Sequence, residues 1–386
     1  MKKTNLILVL ILLTIMIGCG GNKQSQGDLI KVDVTASYPK KELILQDFAD
    51  VEYIPLETTD SFINQGFVRD VGEKILLVTN RKNDGDIFIY DRTGKALRKI
   101  NRKGQGGEEY LQTTQVILDE TNSEMFVVAY SARKISVYDL YGNFKRSFNN
   151  TDSCYYTYVY NYDRENLICY KNYSSSNKGR PCFLIISKRD GSITREVNIP
   201  FKEIKTPALT KEINGKIASV TPLFNQIIPY KNQYILMEAS SDTVYNYLPD
   251  GTISPFIVRT PSVNSMDPEV LLDLSVLTDR YYFMQTLKKE FDFQAMNGFP
   301  TTDLVYDKQK NAVFKYTVFN DDYSNKKQVD LSSPSLNQEI ASCQSLESDK
   351  LVEAYKNGEL KGKLKEIAAK LKEDDNPVIM LIKQKK

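Results

Sequence analysis

IFIYDRTGKALRKI (87–100) and ISVYDLYGNFKRSF (135–148) are one phrase written twice. Tyr90, Asp91 and Gly94 align with Tyr138, Asp139 and Gly142, an offset of 48 residues in each case. On both sides of the Asp-x-x-Gly turn apolar and polar residues alternate, the pattern of a half-buried β-hairpin. A repeat of this length, made of strands with no helical period inside it, predicts a β-propeller in which each repeat is one four-stranded blade.

Working outward, residues 67–68 and 75–78 add two strands to the first hairpin and complete one blade. Strands near 115–118, 125–129, 135–138 and 144–148 complete the next, rich in the Val, Ile, Tyr and Phe that β-structure favours. A third hairpin, FLIISKRDGSITREV (183–197), turns at Asp190-Gly191, 49 residues after Gly142. A fourth, DTVYNYLPDGTISPFIV (242–258), turns at Gly251, and a fifth, TDLVYDKQKNAVFKY (302–316), at Asn311, each 60 residues beyond the one before. The extra length ahead of the fourth is expected as a loop or short helix between residues 201 and 218, and residues 271–277 and 287–295 form an irregular lead-in to the fifth.

A sixth blade must be assembled from the two ends. VEYIPLET (51–58) and the apolar run 378–382 in NPVIMLIKQ both lack a local partner, and pairing them closes the ring and removes two exposed edges. Pro55 assigns the first of these to an edge or outer position. Between them, Leu360, Leu364, Ile367 and Leu371 recur at helical spacing, so residues 347–373 read as a helix weakened by Gly358 and stopped by Asn376-Pro377. The expected fold class is all-β: one six-bladed β-propeller over residues 29–386, closed by its N- and C-terminal strands, with the helix inserted in the closing blade.

Residues 1–18 read as an export signal, with Lys2 and Lys3, an apolar run at 6–17 too short for a membrane span, and Gly18 before Cys19. Met16-Ile17-Gly18-Cys19 resembles the bacterial lipobox, which implies acylation of Cys19 by palmitate-type chains and a lasting hold on the membrane. Residues 19–28 form a flexible tether of Gly, Asn, Gln and Ser. No acidic run follows Cys19, so the expectation is an outer-membrane lipoprotein facing the periplasm, with display on the cell surface as the alternative. Without Lys2 and Lys3 the chain has 49 basic and 49 acidic residues, no footprint for nucleic acid. Cys154, Cys169, Cys182 and Cys343 are either buried thiols or, for Cys154 with Cys169 or Cys182, a disulfide.

EYIPLET (52–58), KGQGGEEY (103–110), SDTVY (241–245) and DDNPVIMLIK (374–383) together resemble the six-bladed β-propeller lipoproteins of Gram-negative bacteria, relatives of the NHL-repeat propellers. That family more often has Gly-Pro-Gly-Glu where this chain has Gly106-Gly107-Glu108-Glu109. The resemblance implies the fold and the anchor and carries no assigned reaction.

Histidine is absent, which removes histidine-based triads, His-ligated metals and imidazole bases. No cofactor, metal or catalytic residue is assigned. The candidate ligand-binding loop is 103–110 with its neighbour: Arg102, Lys103, Gln105, Glu108, Glu109 and Tyr110, where glycines expose backbone N–H groups as an anion nest and Tyr110 offers a stacking ring. Its alternative is a turn between blades. The tyrosines at 155, 156, 158, 160 and 162 follow strand alternation and read as packing between blades. The polar helix face at Lys361, Lys363, Glu366, Lys370 and Lys372 is a solvated surface or a contact for a partner. The function expected is a lipid-anchored envelope module that binds an unidentified ligand, a glycan or an envelope protein. The alternatives are a glycosidase or lyase with two acids about 5–9.5 Å apart in the channel, and a scaffold with a plugged channel.

Overall fold

The turns explain the repeated phrase. Asp91 accepts the backbone N–H groups of Thr93 (2.8 Å) and Lys95 (3.0 Å), and Asp139 accepts those of Tyr141 (2.8 Å) and Asn143 (2.9 Å). Gly94 and Gly142 both stand at φ +87°, where a side chain is strained, and a Cβ at Gly94 would overlap the carbonyl oxygen of Pro55 in the adjoining blade. The tyrosines before the two aspartates are fully buried between blades. One short motif therefore sets both a tight turn and the contact with the next blade.

A computed structural model describes residues 29–151, 154–172 and 182–385. The chain opens with β1 (Ile30–Asp33), β2 (Lys40–Ile44), the single turn α1 (Leu45–Phe48) and β3 (Ala49–Pro55). Blade 1 is β4 (Phe67–Val71), β5 (Ile75–Thr79), β6 (Asp86–Asp91) and β7 (Ala96–Asn101). Blade 2 is β8 (Gln115–Asp119), β9 (Glu124–Ala129), β10 (Lys134–Asp139) and β11 (Phe144–Asn149). Blade 3 is β12 (Tyr156–Asn161), β13 (Asn166–Lys171), β14 (Cys182–Ser187) and β15 (Ile193–Val197), followed by a separate hairpin, β16 (Leu209–Ile213) and β17 (Lys216–Val220). Blade 4 is β18 (Ile227–Tyr230), β19 (Gln233–Leu236), β20 (Thr243–Tyr247) and β21 (Ile253–Thr260). Blade 5 begins with β22 (Val270–Leu277) and β23 (Tyr281–Lys288), carries a small hairpin of β24 (Phe291–Asp292) and β25 (Asn297–Gly298), and ends with β26 (Thr301–Asp307), β27 (Ala312–Asn320) and the short β28 (Lys327–Gln328). Blade 6 takes β29 (Ile340–Leu346) and β30 (Val378–Gln384) and joins them to β3. In blades 1 to 5 the turns after the first and third strands lie on one face, called lower here. The connections after the second and fourth strands lie on the other, upper face.

The ring closes as the ends of the sequence predict. β3 pairs antiparallel with β30 from Ala49 opposite Gln384 to Pro55 opposite Val378. Two corrections accompany this. The C-terminal run has a second partner, β29, which the sequence reading left unassigned. The lead-in is also a strap: β1 adds parallel to β21 and β2 adds parallel to β27, so one continuous segment fastens blades 4, 5 and 6 from outside.

The expected helix at 347–373 is divided in two, α2 (Ser348–Lys356) and α3 (Gly362–Ala368). Gly358 at φ +72° ends the first, and Leu360 forms a bridge with Tyr323 before the second begins. The apolar stripe survives the break, because Leu360, Leu364 and Ile367 are all buried in one core with β3 and β30. The stretch expected as a loop or helix at 201–218 contains instead the β16–β17 hairpin, turning at Asn214-Gly215.

Blade 6 is one strand short on the channel side. Asn337, just before β29, donates to the Val71 carbonyl at the lower end of β4 (2.7 Å), and Ser345, near the end of β29, donates to Gln65 just ahead of β4 (3.2 Å). β29 thus runs against β4, as a second strand does. At the rim, the Glu57 N–H donates to the Gly94 carbonyl (2.8 Å), and Arg102 Nε donates to that of Gly142 (3.0 Å), so β3 stands to blade 1 as the outermost strand β7 stands to blade 2. The strand missing from blade 6 is the innermost one. Residues 329–339 pass through its place without pairing as a strand.

Candidate functional site

A cavity of 1640 Å³, open to solvent, lies among the inner strands. Its walls are β4, β8 and β12 of blades 1 to 3, with residues 333–339 and Cys343, Gln344 and Ser345 of blade 6 across from them. Side chains on the inner strands fasten neighbouring blades. Gln115 exchanges hydrogen bonds with the backbone of Val159, donating to its carbonyl (2.7 Å) and accepting its N–H (3.0 Å). Asn161 donates to the Leu118 carbonyl (2.6 Å). Arg69 spans the carbonyls of Thr113 (3.0 Å) and Thr114 (2.9 Å) and lies over the Phe67 ring. Burial lowers the Arg69 guanidinium to about 10, and no carboxylate pairs with it among the described residues.

The acids of the wall are held in the same way. Asp70 accepts the N–H groups of Val71 and Leu118 (both 2.8 Å) and a longer bond from Asn337 (3.3 Å). Burial pushes its carboxyl up to about 7, against those donors. Glu120 takes the three backbone N–H groups of Glu73, Lys74 and Ile75 at 2.8–3.0 Å. Asp119 forms a buried pair with Lys188 (2.7 Å), whose Nζ also donates to the Asp163 carbonyl (2.8 Å). These carboxylates join blades. None of these three is left facing the cavity with both oxygens open.

Four tyrosines of blade 3 line the wall: Tyr156, Tyr158, Tyr160 and Tyr162. A bulge between Thr157 and Tyr160, with Tyr158 at φ 50°, interrupts the strict alternation read from the sequence. Tyr156 packs toward blade 2 while Tyr160 packs toward blade 4. Tyr160 donates to the Ser335 carbonyl (3.3 Å), which ties residues 329–339 to the far wall. The wall thus combines tyrosines and amides with charged side chains, of which Asp70, Asp119, Glu120 and Lys188 are held by protein partners.

The candidate loop at 102–110 is on the upper face but outside this cavity. Its nest is filled by its own Glu109, whose Oε2 accepts the Gly106 N–H (2.7 Å) and leaves no room for a Cβ at Gly104. Tyr110 is buried, accepting the Arg102 N–H (3.0 Å) and donating to the Gly85 carbonyl (2.7 Å), with its ring edge-on to Tyr138. Lys103 donates to the Asn83 carbonyl and Lys134 to that of Gly107 (2.6 Å), while the Glu108 carbonyl accepts from Tyr138 (2.7 Å). The structure brings these residues together as a packed connection between blades 1 and 2, with Gln105 exposed at its tip. Cys19, the signal and the tether lie outside the described residues.

No disulfide joins Cys154, Cys169, Cys182 or Cys343 among the described residues, and the first three share the core between blades 2 and 3. Burial pushes the Cys182 thiol up to about 11. Among the described residues no group of three or more acid or thiol side chains is placed to hold a metal ion. The sequence did carry a signal for two of the inner strands. Asp70 in FVRDV and Asp273 in VLLDLSVL are single acids inside apolar inner strands, and both are buried and pushed up to about 7.

A ring of six blades, closed by both ends of the chain around a polar cavity, defines the protein as a six-bladed β-propeller. It belongs to the family described as Domain of unknown function (DUF4934), whose model matches residues 29–383. A Bacteroides fragilis protein described as exported is similar in structure, with a TM-score of 0.57 and 15% identity over 91% of this chain and 100% of that one. A member of the duf4221 family from Bacteroides vulgatus aligns at TM-score 0.45 and 10% identity over 87% of this chain and 97% of that one. Virginiamycin B lyase from Staphylococcus aureus aligns at TM-score 0.34 and 12% identity over 69% and 88%. At these identities the likeness is one of fold. No curated protein matches the chain.

Proposed function

We propose that the chain is a lipid-anchored binding module of the cell envelope and that its ligand sits in the central cavity. The cavity carries this reading. At 1640 Å³ it exceeds the roughly 300–1,000 Å³ of ordinary small-molecule sites. It suits a segment of a polymer, a glycan or a peptide, better than a metabolite. Tyrosine faces and amide groups supply stacking and hydrogen bonds to a neutral polar ligand. The signal and lipobox read from residues 1–19, together with a structural neighbour described as exported, support placement in the envelope, with the domain facing the periplasm. A carboxylate-based glycosidase or lyase is the weaker reading, because Asp70, Asp119 and Glu120 are spent on backbone donors and a lysine.

Thermal unfolding of the chain from Leu29 onward, against glycans, peptidoglycan fragments, linear peptides and small anions, tests the proposal. A ligand that binds only the folded ring raises the melting temperature by mass action. At least one polymeric ligand is expected to do so, with no product released. A panel that leaves the transition unmoved removes the cavity as a ligand site, and product formation moves the assignment to the enzyme.

A further inference from the structure

Five blades have four consecutive strands from channel to rim, with β1 and β2 added outside blades 4 and 5, and blade 6 has three strands. Consecutive side chains of a strand point to opposite faces, yet Cys343, Gln344 and Ser345 all border the cavity, so it is the edge of β29 that faces it. β29 pairs as a strand with β30 alone; the Leu336 N–H donates to the Ile340 carbonyl at its lower end (3.0 Å), and no strand pairs with its channel-side edge over residues 343–346. Residues 329–339 pass beside this edge without a backbone hydrogen bond to residues 343–346. They are held below by Asn337, and by Gln338, which donates to the Gln233 carbonyl (3.1 Å). Only Gln344, donating to the Asp330 carbonyl (2.8 Å), ties their upper part to the strand. Pro334, without an N–H, sits in the middle of the run and works against its pairing as a strand.

The upper face carries several exposed apolar side chains. Ile63 (66% exposed) precedes β4, Ile217 (78%) stands on the β16–β17 hairpin, and Met296 (68%) stands on the β24–β25 hairpin. Phe67, Leu111 and Leu223 are exposed on the same face, whereas toward the lower face Leu29, Leu97 and Tyr141 are the large apolar side chains exposed among the described residues. The described chain begins at Leu29, ahead of β1, and β1 runs with β21 toward the upper face. Leu29 thus lies on the lower side of the ring, opposite the exposed apolar side chains of the upper face.

From these observations we propose that a partner protein inserts an extended peptide segment through the upper face and pairs it with β29 over residues 343–346. The segment supplies the missing innermost strand, and the apolar rim covers the partner around it. This rests on the reading of the cavity as the ligand site and selects peptide over glycan. An unpaired strand edge presents donors and acceptors at the strand repeat, which another polypeptide backbone matches.

The test uses the chain from Leu29 onward and a displayed library of random linear nonapeptides. Enriched peptides are resynthesised with single N-methyl groups, and hydrogen exchange is followed in the protein. Strand addition predicts slowed exchange at alternate amides of residues 342–346. It also predicts about a tenfold loss of affinity from N-methylation at every second peptide position, with little change between. The proposal is overturned if no peptide is enriched, if bound peptides leave β29 exchange unchanged, or if N-methylation acts without alternation. Self-association that protects β29 would replace the partner by a second copy. A glycan that raises the melting temperature while no peptide protects β29 removes strand addition and leaves the cavity reading standing.

Discussion

Blade 2 and blade 6 solve the same packing problem from opposite kinds of sequence. Blade 2 is drawn from one contiguous stretch, residues 115–149, and each of its strands pairs with the next in the chain. Blade 6 gathers β29, β30 and β3 from residues 340–346, 378–384 and 49–55, and its core includes α2, α3 and part of the strap. A local hairpin closes a short loop at little entropic cost, whereas blade 6 forms only when the two ends of the chain meet. The regular blade thus makes the ring's wall, and the irregular one locks the ring and leaves an open slot beside the cavity.

The largest difference between the two should appear on removal of β30. Val378, Ile379, Leu381 and Ile382 are completely buried, and both neighbours of the strand lose their partner with it. Truncation after Pro377 is expected to abolish cooperative unfolding in a denaturant titration. Retention of a normal transition would mean that blades 1 to 5 stand without the lock.

On the regular side, Lys188→Ala leaves Asp119 buried without its cation, which typically costs about 3–5 kcal/mol. Urea unfolding reads this directly, and Lys188→Ala combined with Asp119→Leu should recover most of the loss. On the closing side, Asn376 accepts the Asn64 N–H (2.9 Å) and donates to the carbonyls of Glu57 (2.9 Å) and Phe62. Asn376→Ala is expected to cost about 1–3 kcal/mol in the same assay by stranding those groups.

Acidity gives a further handle on the inner strands. Burial raises Asp70 and Asp273 from 3.8 to about 7 in the folded ring, so between those values the folded protein binds more protons than the unfolded chain. Their contribution is full below about pH 4 and is lost as pH rises through 7. The chain should therefore resist urea better at pH 5 than at pH 7.5. Asp273→Asn should flatten that difference, and an unchanged slope would show that Asp273 is not its source. The smallest effect is expected at the loop once read as a binding site. Glu109→Gln weakens a carboxylate-to-backbone bond on an exposed turn and should cost about 0.5–1 kcal/mol.

Much of the ring was legible because its signals are local. Gly94, Gly142, Gly191, Gly251 and Asn311 all adopt positive φ at the turns where the hairpins were read. The closing pair could be found because two apolar runs lacked neighbours. β1 and β2 were missed because IKVD and KKELI pair in parallel with strands more than 200 residues away, and nothing local marks such an edge. β29 was missed because IASCQSL is too polar to read as an inner strand. The β16–β17 hairpin did have a local signal, the Asn214-Gly215 pair, which was passed over. The candidate loop was recognisable as glycine-rich but not as self-filled, since the position of Glu109 depends on the folded loop. The cavity wall depends on the register around the whole ring, and the bulge at Tyr158 alone redirects a row of tyrosines.

Blade 6 is one strand short at the channel, and hydrogen exchange on the unliganded chain tests this most directly. β9, with partners on both sides, is predicted to show protection at every amide. Its counterpart β29 is predicted to show protection only at alternate amides, with the others in residues 342–346 exchanging as fast as the channel-side amides of β4. Uniform protection along β29 would mean that an inner strand is already in place, and the slot would be gone.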